Sequence, residues 1–176
     1  MAGGFLKQET PVPVFDVIGP ALLAAKKLKG KIGVIGTRAT IVSGAYKVDY
    51  SVSCPLLVPF IEEGELTGAA LNILVKKYLT NFKRGNVDTL ILGCTHYPLI
   101  VNLIQKVIGK NVQLINPGVT VAQSLFSFLK DNTMLNSQKR VGEINIFVTD
   151  LTDRFIKVAR MFLGEGRINK ITRVDV

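Results

Sequence analysis

The chain contains little histidine and little cysteine, which excludes several kinds of site. Among its 176 residues there are one histidine, His96, and two cysteines, Cys54 and Cys94. One histidine and two distant cysteines cannot make a set with metal-ligand spacing, so no metal site is expected. Two cysteines without a secretion signal favour reduced thiols in the cytoplasm over a disulfide.

Long hydrophobic runs and acidic residues are also scarce. No apolar run reaches the ~18 residues of a membrane-spanning helix, and residues 1–9 lack the apolar core of a signal peptide. Lys and Arg number 22 against 13 Asp and Glu, which gives a formal net charge of +9. The basic residues are scattered and not interleaved with aromatic ones, so neither nucleic acid nor a membrane is an expected partner. A basic surface would attract a small anionic substrate just as well.

Glycine-rich signatures of nucleotide binding are missing as well. The three-glycine spacing of a dinucleotide site does not follow the apolar segment that ends at Gly36. Gly30-Lys31 is followed by Ile32, where a phosphate-binding loop has Ser or Thr. No nucleotide cofactor is therefore expected.

The sequence does contain a regular alternation of apolar and amphipathic segments. Hydrophobic residues make up 48% of the chain, which is typical of a folded globular protein. Strands are predicted at residues 14–18, 31–36, 48–53, 89–93, 112–115, 144–148 and 170–174. Helices are predicted between them, among them 56–63 and 151–163, with a polar connector at 131–142. This alternation predicts an α/β fold, an open parallel sheet in a three-layer lobe with helices on both faces.

The loop after the predicted strand Thr89–Gly93 is the strongest candidate for chemistry. It begins with Cys94, Thr95 and His96, and a helix-starting Tyr-Pro follows. A helix amino terminus favours a thiolate, and an imidazole with a pKa of about 6.5 suits proton transfer. The alternative is that Cys94 is a small buried apolar residue and His96 a satisfied loop histidine. A glycine before and polar residues after make a poor apolar core, which favours the functional interpretation.

Other candidates are weaker when taken alone. Thr37 and Thr40 precede a predicted helix and are better explained as its caps, although the same geometry makes a carboxylate-binding corner. Glu62 and Glu63 end a short helix, where adjacent acids are usually solvated. Cys54, followed by Pro-Leu-Leu-Val, is interpreted as a core residue.

Several segments resemble the glutamate racemases of the aspartate/glutamate racemase superfamily. The most specific is Gly93-Cys-Thr-His-Tyr-Pro-Leu99. The other similar segments, in the same order as in the family, are Ile32-Gly-Val-Ile-Gly-Thr37 with Thr40 and Ser43, Cys54-Pro-Leu-Leu-Val-Pro-Phe-Ile-Glu-Glu-Gly64, and Phe162-Leu-Gly164. From about residue 11 to the end, nearly every element has a counterpart in that family.

The resemblance implies a cofactor-independent interconversion of L- and D-glutamate that supplies peptidoglycan synthesis. In such an enzyme two similar α/β lobes enclose the substrate, and two cysteines face opposite sides of its α-carbon. One, as a thiolate, removes the proton, and the other, as a thiol, returns one. The residues that the resemblance implies as catalytic are Cys94, His96 and Glu62, and those implied to bind the substrate are Thr95, His96, Thr37 and Thr40.

Two segments of the family do not occur in this chain. They are a Phe-Asp-Ser-Gly-type segment and an Ala-Cys-Asn-Thr segment that carries the first catalytic cysteine. The chain is therefore expected to comprise one complete lobe, residues 14–116, and the closing strand-helix-strand elements of a second lobe, residues 117–176. It is expected to be inactive alone and poorly soluble. Asn116-Pro-Gly118 also stands where the family usually has an acidic turn.

The expected partners are glutamate and either a second copy of the chain, as a homodimer, or a separate amino-terminal half. Two other functions stay open. A Cys-Thr-His loop could serve a single-thiol hydrolase or lyase. The chain could also be a non-catalytic, glutamate-binding remnant of the fold.

Overall fold

A computed structural model of the chain describes residues 8–138, 142–164 and 166–175. These residues form two compact units that divide between Leu135 and Asn136. The division falls within the polar segment 131–142. None of the helices within the described ranges is both long and apolar enough to cross a membrane.

The first unit is built on a parallel sheet. Its strands are β1 (Ile32–Gly36), β2 (Tyr50–Ser53), β3 (Thr89–Gly93) and β4 (Gln113–Ile115). Its helices are α1 (Ile18–Lys27), α2 (Arg38–Val42), α3 (Leu57–Glu62), α4 (Ala69–Gly85), α5 (Val101–Ile108) and α6 (Pro117–Asp131), with a 3₁₀ turn (Tyr97–Ile100) before α5. The strands are parallel throughout and lie in the order β2-β1-β3-β4.

Helices cover both faces of this sheet. Ile32 and Val34 of β1 pack with Ala21 of α1 in a buried apolar cluster. The opposite face of β1 meets α4, since a Cβ added to Gly33 would lie 2.6 Å from the ring of Phe82. The α/β class and the open parallel sheet are therefore confirmed.

The first unit extends beyond β4 because α6 packs against α1. The rings of Phe15, just before α1, and Phe128 of α6 meet edge to face with their centroids 5.2 Å apart. Such aromatic pairs stabilise a packing interface beyond their buried area. The lobe boundary after residue 116, which the resemblance implies, stays a prediction.

The strand predicted at residues 14–18 is wrong. Residues 13–16 have no regular secondary structure, and α1 begins at Ile18. Oδ1 of Asp16 accepts the N–H groups of Ile18 and Gly19, at 2.9 and 2.8 Å. A side chain that satisfies the first donors of a helix favours the helix start over an extended conformation.

The starts of β1 and β3 are linked by one carboxylate. Oδ2 of Asp88 accepts the backbone N–H of Lys31 at 2.8 Å. Gly30, which follows α1, has φ +84°, and a Cβ at this position would overlap the Asp88 carboxylate. A glycine is therefore required here for two reasons, the left-handed backbone and the close approach of Asp88.

The second unit is a strand-helix-strand arrangement. It comprises β5 (Asn145–Val148), α7 (Asp153–Leu163) and β6 (Lys170–Arg173), and β5 and β6 pair in parallel. Oγ1 of Thr152 caps α7 by accepting the N–H of Phe155 at 3.1 Å. The elements predicted at 144–148, 151–163 and 170–174 are confirmed. The described large apolar side chains that this unit exposes are Ile144, Phe147, Leu151, Phe162 and Leu163.

Candidate active site at the carboxyl edge of the sheet

The register of the sheet brings the candidate residues of different strands to one edge. Gly36, the last residue of β1, is level with Gly93 of β3 and with Ser53 of β2. The residues that follow these strands therefore emerge side by side. Thr37 and Cys94 flank the same point between β1 and β3.

This point is a topological switch in the sheet. The connection after β1 runs over the face covered by α1, because Ile41 of α2 packs against the cluster there. The connection after β3 leads to α5, which packs with α4 on the opposite face. Adjacent strands whose connections leave to opposite faces create a crevice, where open α/β sheets bind their ligands.

Glu62, His96 and Cys94 form a line of contacts beside this crevice. Sγ of Cys94 lies 3.8 Å from Nδ1 of His96, and Nε2 of His96 lies 3.1 Å from Oε1 of Glu62. Helix α3 supplies Glu62, and the loop after β3 supplies the other two. The structure thus brings together the three residues expected to be catalytic, and their roles stay predictions.

The contact with Glu62 determines what His96 can do. When the Glu62 carboxylate accepts a hydrogen bond from Nε2–H, the neutral imidazole keeps its lone pair on Nδ1. Nδ1 faces both the thiol of Cys94 and Oγ1 of Thr95, the latter at 3.3 Å. His96 is therefore oriented to take a proton from Cys94.

The Cys94 thiol is only partly buried, and several groups act on its pKa. Burial raises the pKa most, and the backbone N–H groups of His96 and Tyr97 lower it. The Glu62 carboxylate raises it further, and the Thr95 hydroxyl lowers it. The net direction is upward, so the neutral thiol is the resting form and Cys94 needs a base to become a thiolate. Burial here outweighs the helix-start effect on which the sequence-based expectation relied.

Thr37 and Thr40 are hydrogen-bonded to each other at the start of α2. Their Oγ1 atoms lie 3.0 Å apart, and the N–H of Thr40 donates to Oγ1 of Thr37 at 3.2 Å. Thr37 is thus the N-cap of α2, as the capping interpretation predicted. The hydroxyl pair lies at the edge of the crevice, and its role in substrate binding stays a prediction.

Cys54 is a core residue, as predicted. Its side chain is fully buried, and burial, followed by the influence of Cys94, raises its pKa to about 12. Its carbonyl accepts the hydroxyl of Tyr97 at 3.2 Å, and the N–H of Tyr97 donates to the carbonyl of Cys94 at 3.3 Å. Tyr97 therefore ties the loop that carries Cys94 to the loop after β2.

Sequence reasoning missed Tyr46. Together with Val17 and Asn116 it lines a cavity of about 210 Å³ that adjoins Cys94 and Thr95. Burial and the nearby Asp16 carboxylate raise the pKa of Tyr46, so its hydroxyl stays neutral. No motif marks this tyrosine, because its place in the cavity arises from the packing of the sheet.

Metal ligands do not cluster at this site. Within the described ranges, no group of three His, Cys, Asp or Glu side chains is placed to hold a metal ion. The side chains at the crevice are instead a thiol, an imidazole, a carboxylate and hydroxyls. This set is suited to proton transfer and to hydrogen bonding of a carboxylate.

Comparison with known proteins relates this arrangement to racemases. A family model described as Asp/Glu/Hydantoin racemase matches residues 4–125. The glutamate racemase of Aquifex aeolicus is 42% identical over 177 residues, which cover 95% of this chain and 66% of that protein. The glutamate racemase of Thermoanaerobacter sp. is 36% identical over 182 residues, which cover 97% of this chain and 68% of that protein.

A solved structure extends the likeness to three dimensions. The glutamate racemase from Francisella tularensis, solved in complex with D-glutamate, matches with a TM-score of 0.88 and 34% identity. The match covers 98% of this chain and 68% of that one. This chain thus spans about two thirds of the length of the relatives that it matches.

Proposed function

Since this chain belongs to the Asp/Glu/hydantoin racemase family, we propose that it contributes Cys94 to the interconversion of L- and D-glutamate. Relatives at 36–42% identity are glutamate racemases, which supports glutamate as the substrate. The complex of the Francisella tularensis relative with D-glutamate supports it further. The D-glutamate produced would serve peptidoglycan synthesis, and cytoplasmic location stays part of the proposal.

The proposed chemistry inverts one stereocentre by two proton transfers. A thiolate removes the α-proton from one face of glutamate, which leaves a planar carbanion conjugated with the carboxylate. A thiol on the opposite face then gives its proton to the same carbon. Each thiol can act as the acid, and with a base to take its proton each can act as the thiolate, so the two exchange roles in the reverse direction. This chemistry requires no cofactor.

The line from Glu62 through His96 to Cys94 is the observation that carries this proposal. Because the resting form of Cys94 is the thiol, the residue can act as the proton donor directly. To act as a base it must first lose its proton to Nδ1 of His96, 3.8 Å away. Glu62, 3.1 Å from Nε2, then stabilises the imidazolium.

Hydroxyl groups at the crevice would hold the substrate. We assign the α-carboxylate of glutamate to Thr95, the residue after Cys94, because its hydroxyl and backbone N–H are both donors. Thr37 and Thr40 would add hydroxyl donors from the neighbouring strand end. Nδ1 of His96 lies 3.8 Å from the Cys94 thiol and 3.3 Å from the Thr95 hydroxyl.

The second thiol of the pair would come from outside these 176 residues. Cys54 is the other cysteine of the sequence, and it is fully buried with a pKa of about 12. It therefore cannot reach the opposite face of a substrate bound at Cys94. We propose that this chain does not racemise glutamate unless an amino-terminal part or a second chain supplies that thiol.

Two measurements test the proposal. Excess L- or D-glutamate should protect Cys94 from alkylation by iodoacetamide, while acetate at equal ionic strength should not. Chiral chromatography of L-glutamate incubated with the chain should show no D-glutamate. Absence of protection would contradict glutamate binding, and steady racemisation in both directions would contradict the need for a second thiol.

A single-thiol hydrolase or lyase is the second candidate. The Cys94–His96–Glu62 line is also an arrangement of nucleophile, base and orienting group. An activated ester would then give a burst of product equal to the amount of chain, lost in Cys94→Ala. A burst without glutamate protection would favour this candidate over the racemase.

A further inference from the structure

The crevice presents one reactive thiol, and only from one side. Cys94 follows β3 at the switch point, whereas the side chain of Cys54 is fully buried. Inversion of a stereocentre needs an acid on the face opposite the base. A site with one thiol can remove a proton and return a proton, but both steps use the same face.

The hydrogen on Sγ of Cys94 has a route by which it can exchange with water. Nδ1 of His96 lies 3.8 Å from Sγ, and the side chains of His96 and Glu62 are 18% and 31% exposed. A hydrogen taken up by Cys94 can therefore pass to His96 and exchange with water. The group that returns to the substrate carbon then carries hydrogen from the solvent.

We propose that this chain by itself exchanges the α-hydrogen of one enantiomer of glutamate with solvent while the configuration is retained. This inference rests on the proposed function, in that it requires glutamate to bind with its α-carbon at Cys94. It adds an activity that the chain has without the second thiol. Exchange is confined to the enantiomer whose α-hydrogen points at Sγ.

Each step of the exchange balances. His96 accepts the proton of Cys94, and the resulting thiolate takes the α-proton, so that a C–H bond breaks and an S–H bond forms. The electron pair stays on the carbanion. The sulfur-bound proton is replaced by a solvent deuteron through His96, and Cys94 delivers that deuteron to the same face. The net change is one deuterium for one hydrogen, with no oxidant or reductant.

Retention follows from the relative acidity of the available donors. A thiol is a far stronger acid than bulk water, whose pKa is about 15.7. The thiol that took the proton is also in contact with the carbanion. Return from Cys94 should therefore outpace delivery from water on the opposite face.

The experiment uses L- and D-glutamate separately in D₂O with the chain alone. Proton NMR follows the loss of the α-hydrogen signal, and chiral chromatography follows configuration. One enantiomer should lose its α-hydrogen signal and stay the same enantiomer. Cys94→Ala should lower the rate by about 10²–10⁴-fold, the usual contribution of general acid–base catalysis. Cys54→Ala, which removes the buried thiol, should leave the rate unchanged.

The outcomes separate this inference from the proposed function. Protection of Cys94 by glutamate without any exchange would overturn the inference and leave glutamate binding standing. Neither protection nor exchange would overturn both. Exchange accompanied by inversion, or exchange lost in Cys54→Ala but kept in Cys94→Ala, would overturn the single-face assignment.

Discussion

At the scale of single residues, Glu62 acts on Cys94 in two ways. Its charge raises the pKa of the thiol, and its contact with Nε2 of His96 leaves Nδ1 facing that thiol. The first effect makes the thiolate less stable, and under the proposed function the second would make its formation faster. The two effects can be separated by substitution.

Glu62→Gln should therefore change ionisation and proton transfer in opposite directions. With the carboxylate removed, the pKa of Cys94 falls, so the pH midpoint of its alkylation by iodoacetamide moves to lower pH. The exchange of the glutamate α-hydrogen should nevertheless become slower, because His96 loses the partner that stabilises its cation. Glu63→Gln removes the same charge one residue away and serves as the control. An alkylation midpoint that moves to higher pH would show that Glu62 does not act on Cys94 by charge.

The buried thiol of Cys54 should make the chain less stable in alkali. Its pKa is about 12 in the folded state, against about 8.5 for an exposed cysteine, so folding favours the protonated thiol. This contribution is complete below pH ~8.5 and is lost as the pH rises to about 12, at up to about 1.4 kcal/mol per pH unit.

Urea unfolding between pH 8 and pH ~10.5 measures this effect. The unfolding free energy of Cys54→Ala should fall less steeply with rising pH than that of the protein with Cys54, whatever the stability of the variant at pH 8. Burial, followed by the influence of Cys54, raises the pKa of Tyr97, so both proteins should carry Tyr97→Phe, which removes the titration of that hydroxyl from the comparison. Equal slopes would mean that Cys54 does not titrate differently in the folded state.

At the scale of elements, the end of β3 has no room for a side chain at Gly93. An added Cβ would lie 2.9 Å from the carbonyl oxygen of Ile35 and 2.9 Å from Cγ2 of Val34. The ring of Tyr46 would be 3.4 Å away. Because a backbone atom is among the contacts, rotamer changes alone cannot relieve the overlap.

Gly93→Ala should therefore destabilise the first unit and displace Cys94. Overpacking of this kind typically costs about 1–3 kcal/mol, measurable by urea unfolding. The alkylation rate of Cys94 should change as well, since the strand end moves. Gly19→Ala, in α1 with only ordinary contacts at 3.6 Å and beyond, is the matched control and should not destabilise. A Gly93→Ala protein as stable as the control would refute the steric argument.

The central strands could be predicted from the sequence, whereas the first segment could not. β1 and β3 are apolar runs buried on both faces, so their pattern has no competing explanation. Residues 14–18 are also largely apolar, but the Asp16 side chain bonds the N–H groups of Ile18 and Gly19 and starts α1. Such a local bond overrides strand propensity, and the apolar pattern alone does not reveal it.

The candidate site was predictable only in part for a similar reason. Cys94, Thr95 and His96 are contiguous, so a pattern at a strand end could indicate them. Glu62 lies 34 residues before His96, and only the fold brings its carboxylate within 3.1 Å of the imidazole. Tyr46 reaches the cavity through the packing of the sheet, which no local pattern encodes.

At the scale of the whole molecule, the two compact units differ in how much apolar surface they bury. The first has strands covered by helices on both faces. In the second, Ala159 is the one apolar residue that is buried among the described residues, and Phe147 of β5 is 65% exposed. Parallel sheets are stable when both faces are covered, and a two-stranded sheet alone is marginal.

Hydrogen exchange should therefore distinguish the units. Amides of 145–148 and 170–173 should exchange faster than those of 32–36 and 89–93 by about two powers of ten or more. Mass spectrometry of peptides from these segments measures the difference. Comparable protection in both units would mean that the apolar faces of the second unit are covered in solution.

The crowding around the glycines at the end of β1 and β3 bears on how natural variation should be interpreted. Gly36 meets Thr40 and Gly93 meets Ile35, so neither position can accept a larger residue without a shift of its neighbours. A survey of tolerated substitutions would find both positions nearly invariant, although neither offers a functional group to a substrate. Substitutions at these two glycines are therefore excluded by the packing that shapes the crevice. The chemistry of the site has to be inferred from the thiol, the imidazole and the carboxylate beside it.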